Sequence, residues 1–188
     1  MEEFPFSGKR KRQDNTVEKQ PTLRPSDVAV AIRLAQVPGA LYADLARSLR
    51  LGLAEVHRGV RRLERAGLVL PRARRVNHQA LLEFLVHGVR YAFPPVRGPE
   101  TRGIPTAAAA PALSGKLPRS PGVVWPSPEG RARGESLIPL YDAAPRAALQ
   151  DGGLYRALAL VDALRMGQVR ERRLAQDLLA QELGEVGR

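Results

Sequence analysis

Three histidines (His57, His78 and His87) and no cysteine make up the soft donors of this 188-residue chain. Without thiols there is no disulfide, Cys-type zinc finger, iron–sulfur cluster or thiol chemistry. His78 and His87 stand nine residues apart, a poor spacing for one helix face, and no acidic cluster accompanies them. They read as structural or solvated residues, not as metal ligands. We find no nucleophile elbow, phosphate loop or paired-carboxylate signature, so an enzyme is not expected and no cofactor is implied. The chemistry lies in the cations. Of 30 Lys and Arg residues all but Lys9, Lys11, Lys19 and Lys116 are Arg, and the net charge is +11. Arginine meets phosphates and guanine edges through a planar two-donor fork. Such a balance, with a pI near 11.1, makes polyanions the first partners to consider, nucleic acid ahead of an anionic membrane surface. An arginine-rich proteome would give the same count, so spacing must decide.

The densest run is "RGVRRLER" (Arg58 to Arg65), with Arg58, Arg61, Arg62 and Arg65 against Glu64. Val56, Val60 and Leu63 form one helical stripe, while Ala54, Arg58, Arg61 and Arg65 point away from it and His57 and Arg62 lie on its flanks. A charged helix face is often only solvated, but four arginines to one acid is too one-sided for i,i+4 pairing.

The elements around this run follow from caps and periodicity. Ser26 is the expected N-cap of a first helix bearing Val28, Ile32 and Ala35, stopped by Val37-Pro38-Gly39. A second helix spans about Leu41 to Leu49, and a third starts near Leu53 and ends at Gly67. Leu68 to Leu70 and Arg74 to Val76 read as two short strands about a turn at Pro71 to Ala73, with Arg72, Arg74 and Arg75 near the tip. Asn77 caps a helix to Phe93 that is apolar nearly all round and therefore expected to be covered on several sides, by a second subunit or by the chain's own C-terminal segment.

Residues 23–77 resemble the winged helix-turn-helix domain of bacterial MarR-like transcriptional regulators, in "DLARSLRL" (Asp44 to Leu51), "AEVHRGVRRLERAGLV" (Ala54 to Val69) and the basic turn. The resemblance covers under a third of the chain. It implies that the third helix enters the major groove of duplex DNA, which nominates Ala54, Glu55, His57, Arg58 and Arg61 near base edges, Arg62 and Arg65 near phosphate, and Arg72, Arg74 and Arg75 on the backbone or minor groove. It also implies a dimer reading two half-sites, acting as a repressor. The chain departs from the family where Arg50 and Gly52 replace the turn's usual glycine and the helix's Ser or Thr cap, so the turn is expected to differ locally.

Four segments result: a disordered basic tail (1–21), a winged helix-turn-helix DNA-binding domain (22–95), a Pro/Gly/Ala-rich linker (96–122) and a mostly helical C-terminal region (123–188) for dimerisation or partner binding. The expected class is mainly α with a small β-wing. Lys9, Arg10, Lys11 and Arg12 could clamp phosphates as an arm or stay solvated. In the last segment Leu154, Leu158, Val161 and Leu164 make one stripe and Leu174, Leu178 and Leu179 another, with a break at Gly167-Gln168. No run approaches the roughly 18 apolar residues of a membrane span, and "MEEFPFSGKRKRQDN" has no apolar run after its charges. A cytoplasmic, nucleoid-associated bacterial protein is expected. Two other readings stay open: an antitoxin-like module whose C-terminal part binds a protein partner and whose DNA binding is autoregulatory, and sequence-independent DNA packaging. RNA is disfavoured because only 5% of residues are aromatic and no stacking platform is visible.

Overall fold

Local sequence sets the first elements. Pro25 occupies the first turn of α1 (Pro25–Gln36), where its missing N–H costs nothing. Ser26, expected as the cap, lies inside the helix; Arg24 is the N-cap, and its N–H donates to the Asp27 carboxylate at 2.8 Å. Next come α2 (Tyr42–Leu49) and α3 (Leu53–Arg65). Between them Arg50 adopts φ 53°, a left-handed cap, and Gly52 is the N-cap of α3. The turn thus keeps its left-handed residue even though that residue is arginine.

β1 (Val69–Leu70) and β2 (Arg75–Val76) then pair antiparallel, Val69 with Val76. Asn77 accepts the Ala80 N–H and starts α4 (His78–Glu83). This helix passes through a π-helical turn (Phe84–Gly88) into α5 (Val89–Ala92). At Gly88 a Cβ would sit 2.9 Å from the Phe84 ring, so the glycine lets that ring lie against the backbone.

The computed structural model describes residues 22–71, 73–116 and 122–185, and the described part of the segment expected to be a linker carries a strand and two short helical turns. β3 (Arg97–Pro105) pairs antiparallel with β4 (Val123–Pro126) and β5 (Ala132–Leu137), and β4 and β5 pair parallel, so three strands close on one another. A short 3-10 turn (Ala107–Ala109) and α6 (Pro111–Ser114) follow β3. Glycine and proline read as linker composition; here glycine permits close strand approach. A Cβ at Gly103 would run into the Trp125 carbonyl, and one at Gly130 into the backbone of Gly103.

α7 (Ala144–Gln150), α8 (Gly152–Met166) and α9 (Val169–Glu185) complete a mainly helical chain with small sheets. The break expected at Gly167-Gln168 separates α8 from α9. Residues from α1–α5 and from β3 onward share one apolar core, from Val28 to Leu183. The face of the 78–92 helix that carries Leu81, Leu85 and Val89 is fully buried, and the helix packs on α8 and α9 of the same chain. The chain's own C-terminal helices thus cover that face, while Leu82, Phe84 and Val86 stay half-buried and Tyr91 is exposed.

A buried polar node joins the halves. Asp162 on α8, 1% exposed, accepts from Thr106 Oγ1 (2.8 Å), Trp125 Nε1 (2.6 Å) and Arg165 Nη1 (2.6 Å). Arg165 also donates to the carbonyls of Phe93 and Pro94 beyond α5. One carboxylate thus links α8 to the strands and, through its arginine, to the end of α5. Burial pushes the Asp162 carboxyl up from its ordinary value, while the Arg165 guanidinium and the three donors pull it down. Among the described residues no helix is long and apolar enough to cross a membrane.

Candidate nucleic-acid interface

The face of interest is built by burying the other side of α3. Val56, Val60 and Leu63 are at most 2% exposed and hold α3 against α1 and α2. That burial fixes the opposite stripe outward: Ala54, Arg58, Arg61 and Arg65 are all exposed. They recur four, three and four residues apart, so they form one row along the helix. Among the described residues no carboxylate pairs with Arg58 or Arg61, so their guanidinium donors face solvent.

Arg62, nominated for phosphate, is engaged elsewhere. Its Nε and Nη2 both donate to the Asp27 carboxylate at 2.7 Å. The Asp27 side chain is 2% exposed and that of Arg62 14%. The hydrogen bond to Asp27 is the main reason the Arg62 guanidinium is held above its ordinary value, against the opposing pull of burial. A two-donor fork on a buried carboxylate is a structural clamp, and here it locks α3 onto α1. Gly59 makes room for it, since a Cβ there would meet Asp27 Oδ1 at 2.8 Å. Glu55 also turns inward, accepting from Ser26 Oγ at 3.1 Å. Two of the nominated residues therefore hold the helix in place instead of reaching outward.

The hairpin sits beside the start of α3. Arg74 (φ 47°) lies over the Tyr42 ring, 5.4 Å from its centroid. The exposed His57 meets the same ring edge-on at 4.5 Å. Tyr42 therefore brings a hairpin arginine and a helix histidine to one place, with Arg75 exposed nearby on β2. Tyr42 was not singled out from the sequence; its only signal is an aromatic in the first turn of an otherwise ordinary short helix. Arg72 and the arm Lys9, Arg10, Lys11 and Arg12 lie outside the described residues.

The three histidines remain apart: His57 on α3, His78 at the start of α4 and His87 in the π-helical turn. Among the described residues no group of three or more His, Asp or Glu is placed to hold a metal ion. The outer face thus gathers Ala54, His57, Arg58, Arg61, Arg65, Arg74 and Arg75, an arrangement that presents cationic side chains to anions. The chain matches no protein-family model, no curated protein and no solved structure, so this geometry alone bears on what the face does.

Proposed function

We propose that the protein is a non-enzymatic, sequence-specific binder of double-stranded DNA, a winged helix-turn-helix regulator of the MarR-like kind acting as a dimeric repressor in the bacterial cytoplasm. The observation that carries this reading is the outward row Ala54–Arg58–Arg61–Arg65 on α3, whose opposite face is buried, with the basic β1–β2 hairpin held beside it through Tyr42. A helix with an exposed cationic face can lie in the major groove, which is wide enough to admit it. Ala54, small and in the first turn, allows close approach to base edges or a thymine methyl. Arg58 and Arg61 can fork onto guanine O6 and N7, each such contact discriminating by about 1–3 kcal/mol. Arg65, one turn later, serves phosphate, and Arg74 and Arg75 serve the backbone or a narrow minor groove.

The test is binding to the duplex upstream of the protein's own gene against a random competitor, at two salt concentrations. Wild type is compared with Arg58→Ala plus Arg61→Ala. Under this reading wild type prefers the upstream duplex, and the variant loses that preference while retaining weak, salt-sensitive binding. If both proteins bind both duplexes alike, the row is only a cationic face, and sequence-independent packaging replaces the proposal.

A further inference from the structure

A second cationic surface lies elsewhere. α1 packs on α3 with one side and on α8 and α9 with another. The π-helical turn, α5 and the start of α9 enclose a groove of about 290 Å³ whose lining includes Val86, Leu164 and Val169 as its apolar part and Arg90, Arg172 and Arg173 as its cations. His87, Tyr91 and Gln176 complete it, and no carboxylate lines it. The nearby Glu171 is occupied, accepting the Gln168 N–H at 2.8 Å. By contrast a larger cavity, about 620 Å³, carries its own counter-charge, Glu182 lying 3.4 Å from Arg156.

The two most exposed hydrophobic side chains among those described both line the groove: Tyr91 at 75% and Val169 at 70%. The Arg90 guanidinium lies 5.0 Å from the Tyr91 ring centroid. Tyrosine and arginine are the side chains most enriched where protein interfaces concentrate their binding energy. The backbone here is also irregular, and a π-helical turn inside a helix is frequent at functional sites.

We propose that this groove takes an acidic segment of a partner protein that carries an apolar or aromatic side chain. Carboxylates would meet Arg90 and Arg173 at the rim, and the apolar side chain would fill the space among Val86, Leu164 and Val169. Charge complementarity selects an acidic partner, and the apolar part selects a peptide over a polynucleotide. A nucleic-acid strand would need a row of stacking aromatics, and the groove offers Tyr91 alone. The proposal does not depend on what α3 binds.

Its test is selection of a displayed random-peptide library on the immobilised full-length protein, followed by anisotropy with the enriched peptides. The expected winners are rich in Asp and Glu and contain Leu, Phe or Trp. They should bind at least ~10-fold more weakly to Arg173→Glu and to Tyr91→Ala, as loss of an interface anchor implies. Arg173→Lys should retain most of the binding, and Arg58→Ala plus Arg61→Ala should leave it unchanged. Both groove side chains are exposed, and thermal unfolding of each variant checks that it folds. The proposal fails if no acidic peptides are enriched or if their binding ignores both groove variants. It fails equally if binding is lost with Arg58 and Arg61, or if a single-stranded oligonucleotide depends on the groove more strongly than the peptides do.

Discussion

Two buried aspartates, one in each half of the chain, do opposite things with an arginine. Asp27 takes Arg62 off the flank of a cationic helix and turns it inward, across 35 residues of sequence. Asp162 holds Arg165, three residues ahead on its own helix, and the arginine then reaches on to Phe93 and Pro94. The first aspartate decides which arginines of α3 remain on the surface. The second gives the C-terminal half a polar centre and keeps its arginine buried within it. The number of arginines in a helix is therefore a poor guide to its charge toward a partner, because one well-placed carboxylate reassigns a member of the row.

The sharpest way to break the comparison is at Asp162. Asp162→Ala strands a buried guanidinium and removes the acceptor of Trp125 and Thr106, so it should cost about 3–5 kcal/mol. That is much of the stability of an ordinary domain, and urea denaturation should show the variant largely unfolded or strongly shifted in midpoint. If the midpoint moves no more than it does on removing the exposed Glu100–Arg133 pair, the node is not the anchor described.

Arg62→Ala comes next. It leaves Asp27 buried and unpaired, and the expected loss is about 3 kcal/mol, at the lower edge of the buried-pair range because Arg62 keeps some solvent contact. Arg58→Ala plus Arg61→Ala should leave the denaturation midpoint nearly unchanged. It should instead lower the slope of log affinity for duplex DNA against log salt by about 2. Stability and salt dependence thus separate arginines only one residue apart. A stability loss for the Arg58/Arg61 pair matching that for Arg62 would erase the distinction.

The same contrast explains what could be read from the sequence. α1 to α3, the hairpin, the helix after it and the α8–α9 break follow from 3.6-residue periodicity, caps and glycine stops, which are local. The outward row Ala54–Arg58–Arg61–Arg65 follows as well, since burying Val56, Val60 and Leu63 fixes it. The inward turn of Arg62 and Glu55 is a tertiary event, settled by Asp27 and Ser26 about 30 residues away. The strands β3, β4 and β5 were hidden because the glycines that let them approach resemble those of a linker. Asp162 and Arg165 look like an ordinary exposed i,i+3 pair until Trp125 and Thr106 are brought beside them. One local signal was available: Gly59 interrupts a good helix, where glycine costs about 1 kcal/mol relative to alanine, and such a residue implies close approach by another group.

That signal yields a smaller effect. Gly59→Ala improves helix propensity but drives a Cβ to 2.8 Å from Asp27 Oδ1. Asp27 is fixed by its hydrogen bonds to Arg24 and Arg62, so it cannot swing aside. A net loss of about 1–3 kcal/mol is expected, and a gain in thermal midpoint would show that the clamp is soft.

The smallest effect should run the other way. Arg50 holds φ 53° at the end of α2, and a left-handed conformation costs a side-chain-bearing residue roughly 1–2 kcal/mol. Arg50→Gly removes that strain but adds freedom to the unfolded chain, which returns part of the gain. A net stabilisation of about 0.5–1 kcal/mol remains, read as a raised denaturation midpoint at constant slope. Because the α2–α3 turn is already in the conformation that glycine prefers, the angle between the helices should not change. Duplex affinity should then fall only by the loss of one exposed cation near α3, and salt dependence should register it as a slope change of at most about one unit. If stability falls instead, Arg50 holds this turn by contacts that outweigh its strain, and the turn belongs with the two aspartate nodes as a place where side chains override local preference.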